Sequence, residues 1–159
     1  MTHMTEIGLL TRTKDEVIYT IGVLKKLGVK SISTLDERIN CQKKAFFAKS
    51  MKIIPPYSFN LYIHGPYSPN LSHDIYANLG NFATIPKPEF ATEEINKKFI
   101  KLDNWLTGKK TRELEILATY QWISNGKDIT DIKKEMKKLK QTTEEEVLWC
   151  KEELSKLSE

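Results

Sequence analysis

Tyr57-Ser58-Phe59-Asn60-Leu61-Tyr62-Ile63-His64-Gly65-Pro66-Tyr67-Ser68-Pro69 is the stretch on which the fold turns. Its first eight residues alternate strictly: Tyr57, Phe59, Leu61 and Ile63 share one face and Ser58, Asn60, Tyr62 and His64 the other, the period of a half-buried strand. Gly65-Pro66 breaks the run. Ser68-Pro69 then restarts the chain as a helix, with a hydroxyl at the cap and proline at the first helical position, where an N–H would lack a partner anyway. Leu71, Ile75 and Leu79 form the apolar face of that helix, and Gly80 ends it. Phe82-Ala83-Thr84-Ile85, ahead of Pro86-Lys87-Pro88, reads as a second short strand that pairs with the first.

Upstream, two helices are marked by one device. Thr13-Lys14-Asp15-Glu16 and Thr34-Leu35-Asp36-Glu37 both have the Thr-x-x-Glu spacing in which side chains satisfy the first free amides of a helix. Val17, Ile21 and Leu24 lie on one face of the first helix, which stops at Gly28. Leu35, Ile39, Phe46 and Phe47 point inward on the second, which ends before Pro55-Pro56. Between Ile39 and Phe46 the inward slot falls on Gln42 and Lys43, a polar pair in an otherwise apolar stripe. The order helix, helix, strand, helix, strand over residues 13–86 resembles a winged helix with a short two-stranded, hairpin-like wing.

Beyond Phe90 the periodicity is helical throughout. Ile95, Phe99, Leu102 and Leu106 line one stripe; residues 114–123 are apolar almost all round, as suits the centre of a bundle. Ile129, Ile132, Met136 and Leu139 make a third stripe, and Val147, Cys150, Leu154 and Leu157 a fourth. Four helices over residues 91–158 therefore follow a hinge at 86–90. The expected fold class is mainly α with a minor α+β element, in one domain spanning residues 1–159.

At 159 residues with 40% hydrophobic side chains, the chain can bury one substantial core. No window approaches the ~18 uninterrupted apolar residues of a membrane span, and residues 1–6 lack the pattern of a secretory leader. The expected compartment is the cytoplasm, with no membrane partner. Twenty-five basic against 21 acidic residues give +4. The last 33 residues hold 8 and 9 of these, leaving 17 and 12, or +5, before them, which is mild support for a phosphate-backbone partner. Cys41 and Cys150 lie far apart without metal or redox spacing and read as free thiols.

The turn from Tyr62 to Pro69 concentrates aromatic, hydroxyl, glycine and proline residues where function often sits. A structural account competes: Gly65 supplies a backbone conformation closed to other residues, Pro66 and Pro69 stiffen the turn, Ser68 caps the helix and Tyr67 packs beneath it. Ser68 lies near His64, but there is no Gly-x-Ser-x-Gly turn and no acid placed to orient the imidazole, so no catalytic residue is expected. His64, His73 and Asp74 fit no metal-ligand spacing, and no phosphate-cradling glycine loop exists; neither metal nor cofactor is expected. Gln42, Lys43, Tyr62, His64, Gly65, Pro66, Tyr67 and Ser68 are the binding candidates. Tyr62, His64 and Tyr67 would also suit a small-molecule pocket. Arg38, Lys43, Lys44, Asn70 and His73 are the nucleic-acid candidates, on the second and third helices. The basic run Lys133, Lys134, Lys137, Lys138 and Lys140 reads as a solvated face.

Gln42-Lys43 followed by Phe46-Phe47, then Phe59-x-x-Tyr62-x-x-Gly65-Pro66-Tyr67-Ser68-Pro69-x-Leu71-x-x-Asp74-Ile75, resembles the YwgA-type proteins of bacteria and archaea. These are similar to the broader Panacea, or SocA-like, antitoxin-associated domain. Leu114-Glu115-Ile116-Leu117-Ala118-Thr119 resembles the tail of YwgA-type chains. The sequence departs from the pattern at Lys44-Ala45-Phe46, where Leu-Val-Tyr is usual, and at His64, where Tyr is common. The resemblance implies an antitoxin that neutralises a partner toxin or adapts it to a protease, without catalysis. The expectation is thus a non-enzymatic binding protein, antitoxin- or defence-related, that works by contact with a protein, either a toxin or a second copy. The alternative is a winged-helix DNA-binding transcriptional regulator.

Overall fold

A computed structural model describes residues 3–4 and 10–158 of the chain; most of the residues read for a leader lie outside them. The element order is β1 (His3–Met4), β2 (Leu10–Thr11), α1 (Lys14–Lys26), α2 (Leu35–Ser50), β3 (Asn60–Tyr62), β4 (Gly65–Tyr67) and α3 (Pro69–Ala77). A 3-10 helix (Leu79–Thr84) follows, then α4 (Glu93–Leu106), α5 (Thr111–Ile123), α6 (Ile129–Lys140) and α7 (Glu144–Ser158). The protein is mainly helical with small antiparallel strand pairs, β1 with β2 and β3 with β4. Among the described residues no helix is long and apolar enough to cross a membrane.

The helix starts are where local chemistry places them. The Thr13 hydroxyl accepts from the Glu16 amide at 3.1 Å while the Glu16 carboxylate accepts from the Thr13 amide at 3.0 Å, and Thr34 with Glu37 repeats the reciprocal pair. Ser68 caps α3 with Pro69 in its first turn. α5 is the central helix: Leu114, Leu117, Ala118 and Thr119 are fully buried, and it packs on α2, α6, α7 and β4. Buried side chains from both halves join in one hydrophobic core.

The strand expected at Phe82 to Ile85 does not form. That segment belongs to the 3-10 helix, and the partner of β3 is β4, in the register Asn60 with Tyr67, Leu61 with Pro66 and Tyr62 with Gly65. Gly65-Pro66 is therefore the start of a strand and not a break, because Gly65 at φ +88° lets the chain reverse over Ile63-His64. With no strand after α3 among the described residues, the winged-helix order fails, and the hairpin precedes the third helix. The inward alternation of the 57–64 run holds only at its start: Tyr57 and Phe59 are buried, Leu61 is half-buried, and Ile63, at the turn, is 85% exposed. Leu35, Leu79 and Leu139, expected on buried faces, are exposed too.

The segment read as a hinge, with the residues before it, is strapped to α1. Lys25 Nζ donates to the Phe82 and Ile85 carbonyls at 2.7 and 2.6 Å, and Lys26 Nζ to that of Pro88 at 3.1 Å. A Cβ on Gly22 would lie 2.4 Å from the Pro86 carbonyl oxygen, so only glycine admits this approach.

Candidate binding groove

Beneath the β3–β4 hairpin, polar side chains from two helices take up backbone groups, and a carboxylate from a third pairs with one of them. Gln42, in the inward slot of α2, meets Ser68 twice: its Nε2 donates to the Ser68 carbonyl at 3.1 Å and its Oε1 accepts from the Ser68 amide at 2.9 Å. One side-chain amide thus does what a neighbouring strand would do. Lys43 is 1% exposed and donates from Nζ to the Pro66 carbonyl at 2.7 Å. From α6, Lys140 donates to the Ile63 carbonyl at 2.7 Å and pairs with Glu115 of α5 at 2.5 Å. Glu115 also lies 3.6 Å from Nδ1 of His64. Gly65 closes the packing, since a Cβ there would meet Thr119 Oγ1 at 2.8 Å.

The electrostatics follow from this burial. Removal from water lowers the Lys43 pKa to about 8; Glu115 opposes the shift and the charge on Lys140 reinforces it. The ion pair between Lys140 and Glu115 is mostly buried, so losing one partner would strand the other's charge.

On the opposite side of the hairpin, α2, the turn and α3 enclose a cleft of about 300 Å³. Ile39, Ile75, Tyr62, Tyr67, Tyr76 and Arg38 line it, together with Ile63 and His64 of the turn. Across Ile32, Arg38 and Tyr76 it adjoins a shallower depression of about 430 Å³ that runs to Leu79 and Phe82. Nine large apolar side chains are exposed among the described residues, and five of them, Leu35, Tyr62, Ile63, Tyr76 and Leu79, line this one continuous groove. Lys30, Arg38, buried Lys43 and His64 are among its lining residues and no carboxylate is, although Glu115 lies 3.6 Å behind His64.

All eight binding candidates converge on the hairpin, in two layers. Gln42, Lys43, Gly65, Pro66 and Ser68 are buried and hold its shape, while Tyr62, His64 and Tyr67 face the cleft. Two cations of the nucleic-acid set are committed to the chain's own carbonyls, and the third, Arg38, is held on one edge only. Lys43 is buried under Pro66; Lys44 Nζ donates to the Leu27 carbonyl at 2.8 Å; Arg38 Nη1 donates to those of Ile32 and Ser33 at 3.2 and 3.1 Å. Asn70 is half-buried and His73 exposed on α3.

Lys140 leaves the solvated face expected for its run, being 8% exposed beneath the turn. Glu115, Thr119, Lys140 and Tyr76 are the site residues that sequence reasoning missed. The signal available was Glu115 and Thr119 themselves, polar groups in an otherwise apolar helix.

Ser68 is fully buried, and its hydroxyl accepts from the Leu71 amide at 3.3 Å. Burial raises the thiols of Cys41 and Cys150 to about 12, which keeps both protonated and unreactive at neutral pH. Compared with protein-family models, with curated proteins and with solved structures, the chain matches none.

Proposed function

We propose that this chain is a binding protein, without catalysis of its own, that accepts a segment of a partner protein in the groove between α2, the hairpin turn and α3. The observation that carries the reading is the gathering of five of the nine exposed large apolar side chains on this face. Contiguous apolar surface of this kind, rimmed by polar groups, marks an interaction site. A small molecule confined to the cleft would leave Leu79, in the adjoining depression, in water, whereas a polypeptide segment can span both. An antitoxin setting, as the YwgA-type and Panacea-like resemblance implies, supplies a toxin as the partner. The DNA-binding alternative loses Lys43 and Lys44 on α2, whose amines are taken up by the Pro66 and Leu27 carbonyls.

The test is quantitative capture from host lysate by wild-type protein, Ile63→Asp, Tyr76→Asp and the control Leu148→Asp, an exposed apolar side chain on α7. A protein retained by wild type and control but lost from both groove variants supports the reading. Equal retention by all four, or none by any, would overturn it.

A further inference from the structure

The groove's charges say what kind of segment it takes. Arg38 stands between the cleft and the adjoining depression, with Nη1 fixed by two carbonyl oxygens. Among the described residues its Nε and Nη2 have no hydrogen-bond acceptor and it forms no ion pair. Acids around the groove are engaged elsewhere: Glu115 pairs with Lys140, Glu37 caps α2 through the Thr34 amide at 3.0 Å, and Asp74 accepts from the Tyr57 hydroxyl at 2.8 Å. A guanidinium braced on one edge and open on the other has the fork geometry that carboxylates fill.

Beside it, Ile39, Ile75, Tyr62 and Tyr76 supply the apolar walls of the cleft. Lys43 and His64 also line the cleft, but Lys43 Nζ is taken up by the Pro66 carbonyl and His64 faces Glu115 at 3.6 Å, so neither adds an open cation. Charge complementarity therefore favours an anionic group close to an apolar one.

Resting on the reading of this groove as a protein-docking site, we infer that it recognises a partner segment presenting an apolar side chain next to a carboxylate, the side chain seated in the cleft and the carboxylate on the free edge of Arg38. The recognised chemistry is an acidic-apolar peptide segment. A basic or neutral segment would leave the guanidinium unpaired and be selected against.

The probe pair is 3-phenylpropionate and 3-phenylpropanamide, titrated into the whole protein and followed through backbone amide resonances lining the groove. The acid should shift them saturably and bind about tenfold more tightly than the amide, as expected for a charge-assisted fork. Salt should weaken the acid and leave the amide unchanged. Arg38→Gln should bring the two to equal affinity; Arg38→Lys, which keeps the charge but not the fork, should retain part of the difference. The salt comparison needs no variant, so a destabilised Arg38→Gln protein does not remove the test. Equal, salt-independent binding of acid and amide would overturn the inference while leaving the groove itself standing. Failure of both probes to move the groove amides would overturn it too. The docking reading falls separately, by unchanged partner capture in Ile63→Asp and Tyr76→Asp.

Discussion

The two sides of one hairpin invert the usual distribution of polarity. Its inner side, against α2, α5 and α6, buries an amide, two lysines and a carboxylate; its outer side leaves Tyr62 and Ile63 in water. The inner amide and lysines are explained by the backbone atoms they satisfy, and the carboxylate by the Lys140 amine it pairs with, because a buried polar group without a partner costs more than the bond returns. On the outer side Tyr62 packs edge-on against Tyr67 with ring centroids 5.3 Å apart, and no such structural demand explains Ile63. Where a side chain has a structural employer, its presence says little about function; where an apolar side chain stands exposed beside four others, a partner is the economical reason. Substitutions on the two sides should therefore separate cleanly, with stability lost on the inside and binding lost on the outside.

The largest effect belongs to Gly65→Ala. Its φ of +88° is closed to side chains and the added Cβ would lie 2.8 Å from Thr119 Oγ1, so strain and overpacking combine. Urea unfolding should show a loss of roughly 3 to 5 kcal/mol. Gln42→Leu comes next. It leaves the Ser68 amide buried without a partner, while the Ser68 carbonyl keeps the Ser72 amide at 3.2 Å, for a loss of about 1 to 3 kcal/mol by the same measurement. A loss below about 1 kcal/mol in either variant would break the contrast.

The inner side was partly legible in the sequence, and its limits have physical causes. Capping is a local interaction, so Thr13 with Glu16, Thr34 with Glu37 and Ser68 with Pro69 could be read from spacing alone. Gln42 and Lys43 were visible as a polar pair in an apolar stripe, but their acceptors lie 26 and 23 residues away and nothing local names them. Lys140 reaches the turn across 77 residues of sequence and looked like its exposed neighbours. The hairpin itself was missed because Ile63-His64 lacks the Asn-Gly or Asp-Gly signal of a tight reversal. On the outer side, periodicity misplaced Leu35, Ile63 and Leu79, since it ranks residues by greasiness and cannot tell a core side chain from one kept for a partner.

Proton linkage gives a third, smaller test of the inner side. In the folded protein Lys43 releases its proton near pH 8, whereas in the unfolded chain it holds it to about 10.5. Between those values the unfolded state binds more protons, so the Lys43 contribution to stability rises with pH, by at most about 1.4 kcal/mol per pH unit. Below pH 8 both states are protonated and the contribution is constant. Unfolding of wild type and Lys43→Met at pH 7.5 and 9.5 isolates this, because the titrations of Cys41 and Cys150 are common to both proteins. The difference should move toward the wild type at the higher pH. A difference that does not change would mean that the Lys43 amine is not desolvated.

The smallest change in stability, and the sharpest in function, is expected for Ile63→Ser. The side chain is 85% exposed at the turn, while the Ile63 backbone carbonyl, which Lys140 holds, survives the substitution. Removing an exposed apolar group normally shifts unfolding by no more than about 0.5 kcal/mol. The serine variant should melt with the wild type and bind its partner at least about tenfold more weakly, the behaviour of an anchor at an interface. Calorimetry and a binding isotherm on the same sample decide between the two roles. A stable variant with undiminished binding would put the partner off this hairpin, and a destabilised one would mean that the turn's outer side is structural as well, erasing the distinction between the two faces.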